Sequence, residues 1–264
     1  MYHVQTIDIQ WMVRVCLDLE IRSVTALVPF IMAGIPAVPP GLENLLQINE
    51  VHVKQTRQSA FQTRCTYDVF TSDGCLIYRA EQEIECCGPR FNLQVQNLQG
   101  YNVMNLLLPN SCWGIQLQVF GPPGMLLGYI DKEWASFNSS FNILTALGQP
   151  SIKVKGPGWG GAFMSDVHFQ VMTLDGSAPL GVITRVWRGV RKEFFSVNDN
   201  YKVQFPGDLD VKVKALLIAC TFFIILKKHK RRKIRQYKRK KKEKKKQPPQ
   251  QISPPIPAYI RYNQ

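Results

Sequence analysis

The sequence has seven cysteines, Cys16, Cys65, Cys75, Cys86, Cys87, Cys112 and Cys220, but no Cys-x-x-Cys pair. Without that spacing neither a structural zinc site nor a thioredoxin-like redox pair is indicated. Histidine is scarce, and His3, His52, His168 and His229 stand too far apart for a metal pair. There is no Gly-x-Ser-x-Gly elbow of the kind that carries a hydrolase nucleophile. The glycine-rich stretch Gly156-Pro157-Gly158-Trp159-Gly160-Gly161 lacks the Lys-Ser/Thr that completes a phosphate-binding loop, and it reads as a strand connection. These absences leave no hydrolytic, redox or nucleotide-driven chemistry in view, so an enzyme is not expected. The first 25 residues hold no long apolar run and carry Asp8, Arg14, Asp18, Glu20 and Arg22, so no secretory leader is read there. The body is expected in the cytosol with free thiols, where the sequon Asn138-Ser139-Ser140 would go unused.

What is present is an uneven charge. The net charge of +14 is carried by one segment: Lys227 to Lys246 holds fifteen Lys/Arg and one acid, whereas residues 1–226 hold seventeen basic and eighteen acidic residues. A near-neutral body argues against a nucleic-acid groove. The basic segment reads as a solvated arm that could meet anionic lipid, an import receptor or, without sequence preference, nucleic acid.

From about Phe61 onward the pattern is that of strands. Turn signals recur at Asp73-Gly74, Gln99-Gly100, Pro123-Gly124, Gly148-Gln149, Asp175-Gly176 and Asn198-Asp199-Asn200. Phe91, Leu93 and Val95 alternate with polar residues, as do Ile115, Leu117 and Val119, which gives one buried and one wet face. Six hairpins imply about twelve antiparallel strands, a number that tends to close on itself. Leu42 to Lys54 reads as a helix-like lead-in.

The most apolar stretch is Ala215 to Leu226, preceded by the strand-breaking Pro206-Gly207 and by Asp208, a natural N-cap, with Asp210 in the first turn. Its twelve uncharged residues rise about 18 Å, short of the roughly 30 Å hydrocarbon core. Extending back to Leu209 takes in Lys212 and Lys214, which would have to snorkel. A cytosolic body and a basic run after Leu226 would put both ends on one side of a membrane. The helix is therefore expected to fill a barrel, with docking on a membrane surface as the other reading.

Several motifs together resemble the phospholipid scramblases. They are Ile35-Pro36-Ala37-Val38-Pro39-Pro40-Gly41-Leu42-Glu43, Cys86-Cys87-Gly88-Pro89, Pro122-Pro123-Gly124 with Leu127-Gly128-Tyr129-Ile130, and Asp166-Val167-His168-Phe169. The most specific is Val203-Gln204-Phe205-Pro206-Gly207-Asp208-Leu209-Asp210-Val211-Lys212-Val213-Lys214-Ala215. The resemblance covers residues 35–224 and implies a tubby-like fold, mainly β, with a closed antiparallel twelve-stranded barrel around a C-terminal apolar helix. It also implies movement of phospholipids between leaflets in both directions, without ATP and in response to calcium, by a protein at the cytoplasmic face of the plasma membrane. The organisation that follows is an N-terminal extension (1–34), a barrel domain with its helix (35–226) and a tail that is basic and then Pro-rich and disordered (227–264). No feature of the sequence bears on oligomeric state.

Two sites are implied by the same resemblance. A calcium segment of twelve residues would run from Val197 to Asp208, with Asp199 and Asp208 as its carboxylates and Asn198 or Asn200 adding oxygen. Val197 offers no side-chain oxygen at the first position, and Lys202 takes the sixth, where a calcium loop wants glycine. The alternative is that Asn198-Asp199-Asn200 is a sixth hairpin turn and Asp208 caps the helix. A palmitoylation site would fall at Cys112, with Cys86 and Cys87 as a second anchor, since one acyl chain holds a protein only marginally. The alternative is that all three are reduced thiols. After Leu226 the chain departs from the resemblance, because similar proteins end shortly in acidic and aromatic residues. The runner-up function is a barrel that binds a lipid headgroup or a protein without transport, with nuclear import through the basic tail.

Overall fold

The computed structural model describes residues 38–56, 65–83, 91–110, 116–133, 139–157, 165–187 and 200–246. Twelve strands form β1 (Glu50–Gln55), β2 (Thr66–Thr71), β3 (Leu76–Glu83), β4 (Phe91–Asn97), β5 (Asn102–Leu108), β6 (Gln116–Gly121), β7 (Met125–Lys132), β8 (Phe141–Thr145), β9 (Pro150–Lys155), β10 (Val167–Thr173), β11 (Pro179–Arg185) and β12 (Asn200–Gln204). Each pairs antiparallel with its sequence neighbour, and β12 pairs with β1 to close the barrel. The expected twelve-stranded closed barrel is the observed fold.

Five tight hairpins share one device. At Gly74, Gly100, Gly124, Gly148 and Gly176 the chain takes φ between 75° and 102°, a region that costs a residue with a Cβ. Each of these glycines donates its N–H to the carbonyl three residues back, as Gly100 does to Asn97 and Gly148 to Thr145. These turns all lie at one end of the barrel, here called the tip rim. The links at the other end fall mostly outside the described residues.

Two details differ from the sequence expectation. The helix-like lead-in is limited to a 3-10 turn at Glu43–Leu45, and Glu50–Gln55 is β1. Val51, Val53 and Gln55 are buried in alternation with His52 and Lys54, so a period of two, hidden by the leucines before it, decides the element. Of the sixth turn signal only Asn200 is described, and it already pairs with Lys54 in the sheet. The count of twelve is completed by β1.

The alternation along the wall sets which side is dry. In β4, Phe91, Leu93 and Val95 are buried inside, while Asn92, Gln94 and Gln96 face outward. That is the inverse of a lipid-facing barrel, whose outer band is apolar. The C-terminal helix is Val211–Lys246, and its first part fills the interior. Every residue from Lys214 to Ile225 is buried, as expected for a helix apolar on all sides. Phe222 meets Tyr67 edge-on at 5.3 Å, and Phe223 meets Phe141 at 5.6 Å. At Gly128 a Cβ would collide with the Leu144 carbonyl oxygen and crowd Leu216, so the bare backbone lets the helix approach β7. Tyr67 and Phe141 begin their strands at the far end, so the helix enters at the tip rim and leaves opposite it.

The helix does not stop at Leu226. It continues to Lys246, about 30 Å further at 1.5 Å per residue, because Lys, Arg and Gln are good helix formers and no Pro intervenes before Pro248. Among the described residues no helix is long and apolar enough to cross a membrane.

Candidate functional site

The helix entry is built from residues far apart in sequence. Asp210, not Asp208, is the N-cap: its Oδ1 accepts from the Lys212 N–H at 2.8 Å and the Val213 N–H at 3.2 Å. The helix starts at Val211, so Asp208 stands two residues too early and is exposed in the preceding turn. A carboxylate must sit directly before the first helical residue to reach these donors.

Lys214, which would snorkel in a membrane-spanning reading, is wholly buried. Its ammonium shares its three N–H groups among four backbone carbonyls: Gly207 at 2.6 Å, Leu45 at 2.8 Å, Ile48 at 3.0 Å and Leu46 at 3.1 Å. Phe205 adds its ring face at 5.4 Å. Burial pulls the Lys214 pKa below its ordinary value, and the nearby Asp208 charge pushes back. The residue thus ties the lead-in to the helix across the tip rim. Tyr78 fixes the same lead-in from the wall through a 3.0 Å bond from its hydroxyl to the Gly41 carbonyl. The sequence signal for this clamp was a lysine beside an apolar run, which resembles a solvated residue equally well.

Lys202, at the centre of the calcium segment, is also engaged. Its Nζ lies 2.9 Å from Glu50 Oε2, His52 Nε2 lies 2.9 Å from Glu50 Oε1, and Gln204 Nε2 donates to Glu50 Oε2 at 3.0 Å. Burial raises the Glu50 pKa, but the hydrogen bonds and charges of Lys202 and His52 outweigh it, so the carboxyl lies below its ordinary value.

Of the segment Val197–Asp208, residues 200–208 are described. Residues 200–204 are β12, bonded to β1 on one side and β11 on the other. Asp208 is exposed beyond its tip-rim end, while Asp199 lies outside the described residues, as do Cys86, Cys87 and Cys112. Among the described residues no three His, Cys, Asp or Glu side chains gather at a point that could hold a metal. Cys220 is fully buried within the barrel, and burial pushes its thiol pKa far up. Cys75 is exposed at the β2–β3 turn.

At the far end, Lys227 covers the Phe223 ring at 4.6 Å as the helix leaves the barrel. Beyond it Arg235, Lys238, Arg239 and Lys241 are exposed. Ile234 and Tyr237, three residues apart and so on one face, are exposed with them.

A family model described as Scramblase matches residues 29–228, which spans the barrel and the buried part of the helix. Phospholipid scramblase 1 of Homo sapiens is 31% identical over 216 residues, covering 74% of this chain and 68% of that protein. Phospholipid scramblase 2 of Bos taurus is likewise 31% identical over 216 residues, covering 74% of each. From the sequence, the likeness is expected to be strongest to phospholipid scramblase family member 5. At 30% identity over 205 residues (70% of this chain, 76% of that protein), the Homo sapiens family member 5 is not set apart from the others.

Proposed function

Because this chain belongs to the phospholipid scramblase family, we propose that it handles phospholipids at a membrane, moving them between leaflets in both directions, without ATP and in response to calcium. The observation that carries the reading is the scramblase match, which takes in the whole barrel and its filling helix. The barrel acts from the membrane surface, since its outer wall is polar and its helix is enclosed. The basic segment Lys227–Lys246 supplies attraction to anionic lipid, worth about 1 kcal/mol per basic residue near the surface. Acylation at Cys112, with Cys86 or Cys87 as the second anchor, would hold the protein at the cytoplasmic face of the plasma membrane. Nuclear import through the same basic segment is the alternative destination.

A second reading is favoured by one observation. The barrel interior is occupied by Ala215–Ile225, and a charged headgroup crossing an apolar core needs a polar route. In this reading the domain binds a lipid headgroup or a protein and transports nothing. Liposomes carrying fluorescent phospholipid in both leaflets separate the two. If the full chain exposes the inner-leaflet probe to an external quencher when calcium is added, it scrambles. A protected fraction that stays near half, with and without calcium, leaves only the binding module. Asp208→Ala, run in parallel, reports whether the calcium response passes through that carboxylate.

A further inference from the structure

The tip rim carries apolar side chains that the fold does not use. From Asn97 to Tyr101, Gly121 to Met125 and Thr145 to Pro150, three adjacent hairpins bear no charged residue. Leu98 is 59% exposed, Tyr101 72%, Met125 40% and Leu147 84%. Leu174 on the next hairpin and Leu46 on the lead-in continue the arc. Tight turns ordinarily carry Asn, Asp, Ser and Gly, each for its backbone chemistry, and large apolar groups at successive tips serve no turn.

The backbone of these tips is already satisfied. Gly100, Gly124 and Gly148 donate within their turns, and Asn97 Oδ1 accepts from the Gln99 and Tyr101 N–H groups at 3.1 and 2.9 Å. Such tips can leave water without stranding polar groups, the condition for entering lipid. A tyrosine among them suits a membrane interface, with an apolar ring and a wet hydroxyl.

Beside Leu147 a cavity of about 250 Å³ opens between the first helical turns and β7–β9. Leu126, Leu127, Val213 and Leu216 supply apolar wall, while Lys212, Asp210 and Thr145 add polar groups. A mainly apolar cleft whose lining includes Lys212, with the Asp210 carboxylate already engaged by the helix N–H groups, matches the junction of a phospholipid, where acyl chains meet ester and phosphate oxygens.

We infer that the tip rim is a second membrane-docking surface: Leu98, Tyr101, Met125 and Leu147 enter the interfacial layer of a phospholipid bilayer, and the cavity beside Leu147 receives the glycerol end of one lipid, its phosphate meeting Lys212. The inference rests on the lipid-handling reading but not on transport. The three central hairpins of this surface are uncharged, with Asp73 and Asp175 on the flanking turns, and the surface lies at the opposite end of the helix from the basic segment, so the two surfaces answer to different membranes. The basic segment needs anionic lipid and weakens with salt. The tip rim needs neither anionic lipid nor low salt.

The test uses the full chain and two vesicle types. Phosphatidylcholine vesicles at about 0.5 M salt, where the screening length is under about 5 Å, report the tip rim. Vesicles containing phosphatidylserine at low salt report the basic segment. The double variant Leu98→Glu/Leu147→Glu changes only exposed positions, and circular dichroism checks that its fold is intact. The expected result is that the native chain floats with phosphatidylcholine vesicles at high salt and the variant loses at least tenfold in affinity there. The variant should keep most of its phosphatidylserine binding at low salt. No binding of the native chain to phosphatidylcholine, or equal binding by the variant, overturns the inference. Loss of binding to both vesicle types by the native chain would instead remove the lipid-handling reading beneath it. A variant that turns a dimer into a monomer in sedimentation velocity, with vesicle binding unchanged, assigns the rim to self-association and also overturns it.

Discussion

The Lys214 ammonium lies 2.8 Å from the carbonyl oxygen of Leu45, a residue 169 positions earlier in the chain. This bond and its three companions join the lead-in to the helix that fills the barrel. Lys214→Met keeps most of the stem's volume and leaves four carbonyls without their donor. Unsatisfied buried groups cost about 1–3 kcal/mol each before relaxation and water entry, so a net loss of about 2–4 kcal/mol is expected in chemical denaturation. Protease should then cut near Pro39–Asn49 sooner than in the native chain. A variant of native stability would show that the clamp contributes nothing.

The cap assignment separates two neighbouring carboxylates. Asp210→Ala removes the acceptor for the Lys212 and Val213 N–H groups and should lower stability by about 1 kcal/mol. Asp208→Ala removes an exposed side chain and should fall within about 0.5 kcal/mol of native. Thermal melts of both variants give the comparison, and equal losses would return the cap to Asp208.

These two residues also show what could be read in advance. Period-two runs and glycine turns repeat through the chain, so the barrel was legible from Phe91, Leu93 and Val95 and from Gly100 and Gly148. The filling helix was legible because Ala215–Leu226 is too short to span a bilayer. The clamp was not, since a lysine at position 214 looks the same in sequence whether it meets water or four carbonyls. The cap slipped by two residues because Asp208 and Asp210 both precede the helix and only backbone geometry chooses between them. The apolar tips at Leu98 and Leu147 are not legible as one surface in the sequence, because they come together only through three adjacent hairpins, which is a property of the closed sheet.

Glu50 gives a pH dependence of definite sign. Its folded pKa lies below the ordinary 4.5, so its contribution to stability is fully present above that value. It is lost as pH falls through the folded pKa. Glu50→Gln should therefore be less stable than the native chain at pH 7, and the difference should shrink as pH falls below about 4.5. Denaturation midpoints from pH 7 to pH 3 for the two proteins test this, and a constant gap across the range would exclude Glu50 as the titrating group.

The basic part of the helix is the element whose stability depends most on its surroundings. Lys238 and Lys242 stand four apart, as do Lys241 and Lys245. Like charges at that spacing destabilise an isolated helix by about 0.2–0.5 kcal/mol per pair. An anionic bilayer relieves the repulsion, so helix content and binding should rise together. Replacing Lys238, Arg239 and Lys241, all exposed, by Gln removes about 3 kcal/mol of surface attraction at about 1 kcal/mol each. Affinity for phosphatidylserine-containing vesicles should then fall on the order of a hundredfold at low salt, with little change at 0.5 M, where the attraction is already screened. Helicity measured by circular dichroism should increase on adding these vesicles to the native chain and much less for the triple variant. If the triple variant binds and folds on the vesicles as the native chain does, the basic helix is not the anionic-lipid contact, and the attraction must be sought elsewhere on the barrel.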